Sequence, residues 1–132
     1  LFDQGLGDLF VVRTAGNIVD DTALGGIEYA VAHLGVRLVV VLGHTKCGAV
    51  GAALQGGVAE GHLSSVLKAL VEPVEEARRR EGDVHDLASR RNVELIVAGL
   101  KSSEPVLAAM AGRLDVVGCY YDLDTGRVGI IC

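Results

Sequence analysis

The feature that most constrains the fold is an unbroken apolar run, LVVVLG, which begins at Leu38 and ends at Gly43. It lacks the alternation of polar and apolar residues that marks a strand with one face in solvent. Such a continuous run is typical of a strand buried on both faces in a parallel sheet. We therefore expect a central parallel strand at this point of the chain.

The segment before this run predicts a strand, a turn and a helix. Residues Phe10–Val12 form a short β-branched and aromatic group, and residues 16–17 have the composition of a turn. A helix should follow, with Asp21 or Thr22 as its N-cap, because apolar residues recur there at helical spacing. It is expected to end near Gly35.

The segment after the run predicts more helices and a final hairpin. The expected elements are a short helix over 49–57, one or two helices over 63–80 with a kink or restart at Pro73, a helix over 89–100, a second helix over 104–113, and a β-hairpin over 114–131. Residues 89–100 also fit a strand. Their apolar side chains at i, i+3, i+4 and i+7 favour the helix.

This order of elements predicts one α/β domain that spans residues 1–132. Its mostly parallel β-sheet should be flanked by helices and end in an antiparallel hairpin. A chain of this length is long enough to bury a hydrophobic core of its own.

Composition excludes several classes of function. The net charge of −5 and the aromatic content of 4% argue against a nucleic-acid partner. No apolar run approaches the roughly 18 residues that a membrane helix needs, so no membrane partner is expected. Three cysteines are too few, and odd in number, for a disulfide framework. A reducing, cytoplasmic location is therefore predicted.

Directly after the apolar run, the segment GHTKCGAV places a histidine and a cysteine three residues apart. His44 and Cys47 would lie at the carboxyl end of the strand, where open α/β sheets bind their ligands. Imidazole and thiolate are the donors that zinc prefers. The following helix would direct backbone N–H groups at the sulfur and favour the thiolate. Taken alone, the pair is also compatible with a structural histidine and a small buried cysteine.

Three segments together give the pair a context. They are GHTKCGAV after VVVLG, FVVRTAGN about thirty residues earlier, and VVGCYYDLDTG near the end. In this order they resemble β-class carbonic anhydrases over essentially the whole chain. The resemblance implies reversible hydration of carbon dioxide to bicarbonate and a proton by zinc-bound hydroxide. It also implies a Zn²⁺ cofactor and a homodimer or higher homo-oligomer.

The resemblance assigns two zinc ligands, His44 and Cys47. In the family a further ligand comes from a Cys-x-Asp-x-Arg motif on the first, central strand, and the 132 residues do not contain that motif. Cys119 is expected to be a core residue and Cys132 a chain end, so neither replaces it. Without the central strand, a gap is expected between LFVVR and LVVVL. The chain is then either part of a longer polypeptide or an inactive, truncated relative in which these two strands pair directly.

The resemblance suggests roles for further residues and leaves the substrate open. Gln4 resembles a glutamine that lines the carbon dioxide pocket in part of the family, although it also fits an exposed loop amide. The backbone N–H of Gly48 could bind the anionic product, although close packing would equally explain a glycine there. Arg13, Gly16 and Asn17 match the family's R-x-A-G-N turn and are expected to be structural. The same scaffold could also hydrolyse carbon disulfide or carbonyl sulfide.

Overall fold

A computed structural model describes residues 1–57 and 59–132. The helices are α1 (Asp21–His33), α2 (Gly48–Gln55), α3 (Leu63–Ala69), α4 (Val71–Arg78) and α5 (Val84–Lys101), and the strands are β1 (Leu38–His44), β2 (Asp115–Tyr121) and β3 (Val128–Ile130). Short 3₁₀ turns cover Ala15–Asn17 and Ala108–Met110.

The sheet has the order β1-β2-β3. β1 and β2 are parallel, in a register that runs from Leu38 opposite Asp115 to His44 opposite Tyr121. β3 returns antiparallel to β2, with Cys119 opposite Ile130. The predicted α/β architecture, the parallel strand and the C-terminal hairpin are thus confirmed, but β1 lies at an edge of the described sheet and not at its centre, and most of its residues are only partly buried.

Helix α5 supplies most of the core on one side of the sheet. Val93, Val97 and Leu100 are 0%, 4% and 3% exposed and pack with Val41 of β1 and Val116 of β2. Their spacing is the i, i+4, i+7 pattern that favoured a helix over a strand in this segment. The helical interpretation of residues 89–100 is therefore confirmed.

Helix boundaries follow local chemistry. The N-cap of α1 is Asp20, not Asp21 or Thr22 as predicted, because its carboxylate accepts a hydrogen bond from the N–H of Ala23 at 2.9 Å. Residues 63–80 form two helices, as one of the predicted alternatives had it, but the break lies at Leu70 and not at Pro73, since α3 ends at Ala69 and α4 begins at Val71. Pro73 lies in the first turn of α4, where a missing N–H costs no helical hydrogen bond.

The predicted strand Phe10–Val12 does not form. This segment has no ladder partner among the described residues, and its side chains are 40–64% exposed. Strand propensity gives an extended chain but no sheet unless a second backbone lies within hydrogen-bonding distance. Phe10 and Val12 instead contact α1, where a Cβ added to Gly26 would lie 3.7 Å from Val12 Cγ2. The direct pairing with β1 that a truncated relative would need is not seen in the described part of the chain.

The predicted helix over 104–113 is also wrong. The segment forms turns and one 3₁₀ turn at Ala108–Met110, and it ends at Gly112, which has a φ of +79°. Few residues separate Pro105 from that glycine, and the first turn of an α-helix is costly to nucleate. The 3₁₀ turn still buries Leu107, which is 3% exposed and joins the core beneath α5.

The turn at residues 15–17 has the structural role expected of it. Gly16 is buried with a φ of +66°, and a Cβ there would lie 3.2 Å from Leu70 and 3.3 Å from Ala49. The buried side chain of Asn92 donates a hydrogen bond of 2.7 Å to the Gly16 carbonyl. Only glycine satisfies both the backbone angle and the limited space.

Candidate functional site

The two predicted donors lie where β1 passes into α2. His44 is the last residue of β1 and is half-buried, and Cys47 is the N-cap of α2 and only 4% exposed. Cys47 packs in a cluster formed by α2, α4 and α5, which includes Val50, Leu70 and Ala88. The sequence placed both residues correctly at the carboxyl end of a parallel strand.

The residues between the donors are held by the loop that joins β2 to β3. The N–H of Thr45 donates to the Tyr121 carbonyl at 2.9 Å, and the N–H of Leu123 donates to the Thr45 hydroxyl at 3.0 Å. Lys46 has a φ of +56°, which is uncommon for a residue with a side chain, and its ammonium group contacts Asp124 at 2.6 Å. Because that ion pair is exposed and therefore weak, the hydrogen bonds of Thr45 restrain this segment more strongly.

The β2–β3 loop is itself ordered by Asp122. Its carboxylate accepts hydrogen bonds from the backbone N–H groups of Asp124 and Thr125 at 2.8 and 3.2 Å. These bonds favour the charged form and lower the pKa of the Asp122 carboxyl. The turn residues DTG therefore support the donor segment as well as closing the hairpin.

Tyr120 lies opposite Gly43 of β1, the residue that precedes His44. A Cβ added to Gly43 would be 3.2 Å from Tyr120 Cδ2, and the guanidinium of Arg90 lies 4.1 Å from the centre of the Tyr120 ring. The phenol is 5% exposed, and its hydroxyl has no hydrogen-bond partner among the described residues. Burial is the main reason that the pKa of Tyr120 rises from 10.0 to about 12.

This shift predicts a specific loss of stability in alkali. A group whose pKa is raised on folding stabilises the native state below its unfolded pKa, and this contribution disappears as the pH rises through the folded value. For Tyr120 the window runs from 10.0 to about 12. Tyr120→Phe should flatten the fall in unfolding free energy across that window, measured by denaturant titration at several pH values.

The neutral-pH behaviour of the same variant is a further check. Since the hydroxyl is buried without a partner, Tyr120→Phe is expected to lie within about 1 kcal/mol of the wild type at pH 7. Tyr29→Phe, at an exposed position, is the matched control and should keep the wild-type alkaline profile. Identical profiles for Tyr120→Phe and the wild type would show that this phenol does not titrate in the window.

Two side chains of α5 hold the backbone near the site, and neither stands out in the sequence. His85 Nε2 lies 2.8 Å from the carbonyl oxygen of Cys47, and Asn92 binds the Gly16 carbonyl. They are seven residues apart and therefore lie on one face of α5. That spacing was visible in the sequence, but the carbonyls that the two side chains reach were not.

The two remaining predicted site residues are not brought against the donors by any hydrogen bond in the described structure. The Gln4 amide donates to the nearby carbonyls of Phe2 and Asp3 at 2.9 and 3.2 Å, and Gln4 is exposed. Gly48, the first residue of α2, is also exposed, and a Cβ there would meet nothing within 4 Å. Close packing therefore does not explain a glycine at this position.

His44 and Cys47 are of the residue types that bind zinc, but two ligands are fewer than a catalytic zinc site needs. His44 and Cys47 supply the nitrogen and sulfur ligands that zinc prefers, and a catalytic zinc site needs three protein ligands and an open position. Across residues 1–57 and 59–132, no group of three or more His, Cys, Asp or Glu residues is arranged to hold a metal ion. Cys119 is buried in β2 and Cys132 is exposed at the chain end, as expected.

No helix in the described part of the chain is long and apolar enough to cross a membrane.

Comparison with known proteins gives a consistent result. A family model described as carbonic anhydrase matches residues 1–128. Carbonic anhydrase 2 of Mycobacterium tuberculosis is 44% identical over 133 residues, which cover 96% of this chain and 64% of that protein. The carbonic anhydrase of Mycolicibacterium smegmatis is 42% identical, with 97% and 65% covered. The chain thus spans slightly less than two thirds of the length of these relatives.

Solved structures agree with the sequence relatives. A tetrameric β-carbonic anhydrase of Sordaria macrospora superposes with a TM-score of 0.85 at 33% identity, covering 96% of this chain and 70% of that one. The Coccomyxa β-carbonic anhydrase, solved with acetazolamide, gives a TM-score of 0.86 at 29% identity, with 98% and 64% covered.

Proposed function

Because the chain belongs to the β-carbonic anhydrase family, we propose that it contributes to a zinc-dependent enzyme that hydrates carbon dioxide reversibly. One water and one carbon dioxide give one bicarbonate and one proton. The observation that carries the proposal is the position of His44 and Cys47, at the carboxyl end of a parallel strand and at the N-cap of the following helix. These are the two positions that the family resemblance assigns to zinc.

In this proposal His44 and Cys47 bind the metal. Zinc, when bound, supplies a Lewis acid that makes water acidic enough to provide hydroxide near neutral pH, as in carbonic anhydrases generally. The β2–β3 loop fixes the backbone between the two donors through its bonds to Thr45. Correct orientation of the donors before metal binding reduces the cost of assembling the site.

Gly48 is proposed to bind the anionic product through its backbone N–H. The glycine is exposed, and nothing lies within 4 Å of the direction a side chain would take, so a small anion can approach the first turn of α2. Helix N-termini favour negative charge because their first N–H groups lack helical partners. Gln4 is proposed to line the carbon dioxide pocket, which would require the amide to leave its present bonds to Phe2 and Asp3.

The active form is proposed to be a homodimer or a larger homo-oligomer. Apolar side chains are exposed along the N-terminal segment, among them Leu6, Leu9 and Val11. Leu38 and Ile130 lie on one face of the sheet and are 56% and 76% exposed. Contiguous exposed apolar surface usually marks a protein interface. The Sordaria relative is described as tetrameric.

A cytoplasmic location stays a prediction. It is supported by the small and odd number of cysteines, which suits a reducing compartment.

The rival proposal is an inactive relative with a structural or regulatory role. It is favoured by one observation, that the described residues bring no third metal donor to His44 and Cys47. A carbon disulfide or carbonyl sulfide hydrolase would use the same donors and differ in its access channel, so substrate assays are needed to separate it from the hydratase.

Zinc content and hydration rate test the proposal. The 132-residue chain should retain less than one tightly bound zinc per chain, because two donors do not complete a catalytic site. The same chain preceded by a family segment with the Cys-x-Asp-x-Arg motif should bind one zinc and hydrate carbon dioxide in a stopped-flow assay. Its sedimentation mass should be that of two or more chains. Full zinc without hydration would favour the inactive relative, and turnover of carbon disulfide alone would favour the hydrolase.

A further inference from the structure

The imidazole of His85 joins α5 to the residue that carries the candidate sulfur donor. Its Nε2 lies 2.8 Å from the carbonyl oxygen of Cys47, thirty-eight residues away along the chain. Because a carbonyl oxygen only accepts hydrogen bonds, Nε2 carries the proton and donates this one. The tertiary fold therefore creates the contact, and it fixes the tautomer of the ring.

The Cys47 carbonyl also accepts the first hydrogen bond of α2. The N–H of Gly51 donates to it at 2.9 Å, as expected for the carbonyl of an N-cap residue. Two donors thus hold one carbonyl, one from its own helix and one from α5. The Cys47 side chain makes no capping bond of its own. These two bonds consequently restrain the peptide plane next to Cys47, and with it the direction in which the sulfur leaves the backbone.

The backbone of His85 is fixed at the start of α5, and its ring packs beside α2. The Asp83 carboxylate accepts from the His85 N–H at 2.9 Å, and the Ser89 hydroxyl donates to the His85 carbonyl at 2.8 Å. The ring also lies beside Gly51, where a Cβ would be 3.4 Å from the ring carbon Cε1. The half-buried ring can therefore restrain the first turn of α2.

We infer that His85 is a positioning residue that holds the Cys47 sulfur in the orientation needed to share a cation with His44, an inference that rests on the proposed function. The ring does not bind the metal or the substrate. It acts through the backbone of a ligand residue, as outer partners of metal sites commonly do. The R-x-A-G-N turn is held in a parallel way, by Asn92 from the same face of α5.

Cobalt(II) titration of the chain tests the inference, because the cobalt–thiolate absorption band reports the metal–sulfur bond itself. His85→Ala removes the donor and should weaken cobalt binding by about 10-fold or more, with a diminished thiolate band. His85→Gln keeps an N–H donor at a similar reach and should restore most of the affinity. His62→Ala, at an exposed histidine without a side-chain hydrogen bond in the described structure, is the control and should match the wild type.

A metal-free measurement keeps the inference separate from the proposed function. With Cys119→Ala and Cys132→Ser in place, Cys47 is the only thiol, and its reaction with a thiol reagent reports how well its turn is held. His85→Ala should speed this reaction about 10-fold through local opening, while His85→Gln and His62→Ala should not. Unfolding free energies of all variants, measured in parallel, show whether a rate change reflects global instability.

Three results would overturn the inference. They are equal thiol rates in all variants, a defect in His85→Gln as large as in His85→Ala, and a rate change fully accounted for by lost global stability. If the 132-residue chain binds no cobalt, the titration is made on the same chain preceded by the Cys-x-Asp-x-Arg segment, and absence of binding there overturns the proposed function. The rates of thiol reaction then test the role of His85 by themselves. A faster reaction in His85→Ala, without a change in His85→Gln or His62→Ala, supports that role.

Discussion

Cys47→Ser is expected to abolish metal binding while leaving the fold intact. Zinc binds thiolate strongly, whereas a serine hydroxyl is not one of its usual protein ligands. Loss of one donor should lower zinc affinity by at least about 100-fold, judged from the several kcal/mol that metal binding supplies to such sites. In a protein that holds the complete donor set, carbon dioxide hydration should fall with it.

The position of Cys47 allows this substitution to remove the sulfur ligand without disturbing the fold. Cys47 is the N-cap of α2 and makes no side-chain capping bond, and serine is among the best N-cap residues. The capping bond of serine offsets the burial of its hydroxyl at a position that is 4% exposed, so the melting temperature of Cys47→Ser should stay close to that of the wild-type apo protein. A loss of zinc in a folded variant then reports on the ligand and not on unfolding.

Cys132→Ser is the matched control, since Cys132 is exposed at the end of the chain. In the chain preceded by the Cys-x-Asp-x-Arg segment, Cys132→Ser should bind zinc and hydrate carbon dioxide as the protein without the substitution does. Zinc is measured by competition with a chromophoric chelator, and hydration by stopped-flow. Retention of wild-type zinc affinity by Cys47→Ser would remove Cys47 from the metal site and, with it, the main support for the proposed function.

Gly43→Ala is expected to cost more stability than any surface change in this chain. The added Cβ would lie 2.5 Å from Val93 Cγ2, closer than real Cβ contacts come, and 3.2 Å from the Tyr120 ring, which is closer than most of them. Val93 is completely buried, so it has little room to move. Overpacking of this kind typically costs about 1–3 kcal/mol. The unfolding free energy from urea titration measures the effect.

A second variant shows whether the clash is the cause. Val93→Ala removes the methyl groups that Gly43→Ala would meet, so the double variant should lose less than the sum of the two single losses. A coupling of at least about 0.5 kcal/mol is expected for residues in such contact. Gly129→Ala in β3 is the control, because nothing lies within 4 Å of its added Cβ. Simple additivity of Gly43→Ala and Val93→Ala would show that some other strain is responsible.

Gly43→Ala should also affect metal binding at the candidate site. Gly43 directly precedes His44, and the close approach of Val93 and Tyr120 places α5 and β2 against β1 at that point. A shift of β1 away from α5 would displace the imidazole. Metal affinity should therefore decline in Gly43→Ala even in conditions where the variant remains folded.

Much of this fold was predictable because its signals are local. The run LVVVLG became β1, the i, i+3, i+4, i+7 pattern became α5, and the DTG turn closed the hairpin of β2 and β3. Each of these patterns fits one type of secondary structure, helix or strand, and conflicts with the residue period of the other type. The positions of His44 and Cys47 at the end of β1 were predictable for the same reason, whereas their role as metal ligands comes from the family resemblance and stays a prediction.

The failed predictions depended on partners that a local pattern does not contain. Phe10–Val12 has the composition of a strand but pairs with no other strand in the described structure, and residues 104–113 have the composition of a helix but form a 3₁₀ turn. For Phe10–Val12 the strand propensity was not realised because no second backbone pairs with the segment, and for 104–113 the helix was too short between Pro105 and Gly112 to repay its first turn. His85 was uninformative in the sequence for the same reason, since its partner is thirty-eight residues away.

The amino-acid sequence by itself determined the parallel strand and the positions of His44 and Cys47 at its end, because these depend on residue types at short, regular spacings, and three separated segments carried the resemblance to the family. Only the tertiary structure decided that Phe10–Val12 stays out of the sheet, that Gly43 is pressed against Val93 and Tyr120, and that His85 holds the Cys47 carbonyl. Those outcomes depend on distances between segments remote in sequence, which are fixed only when helices and strands pack together.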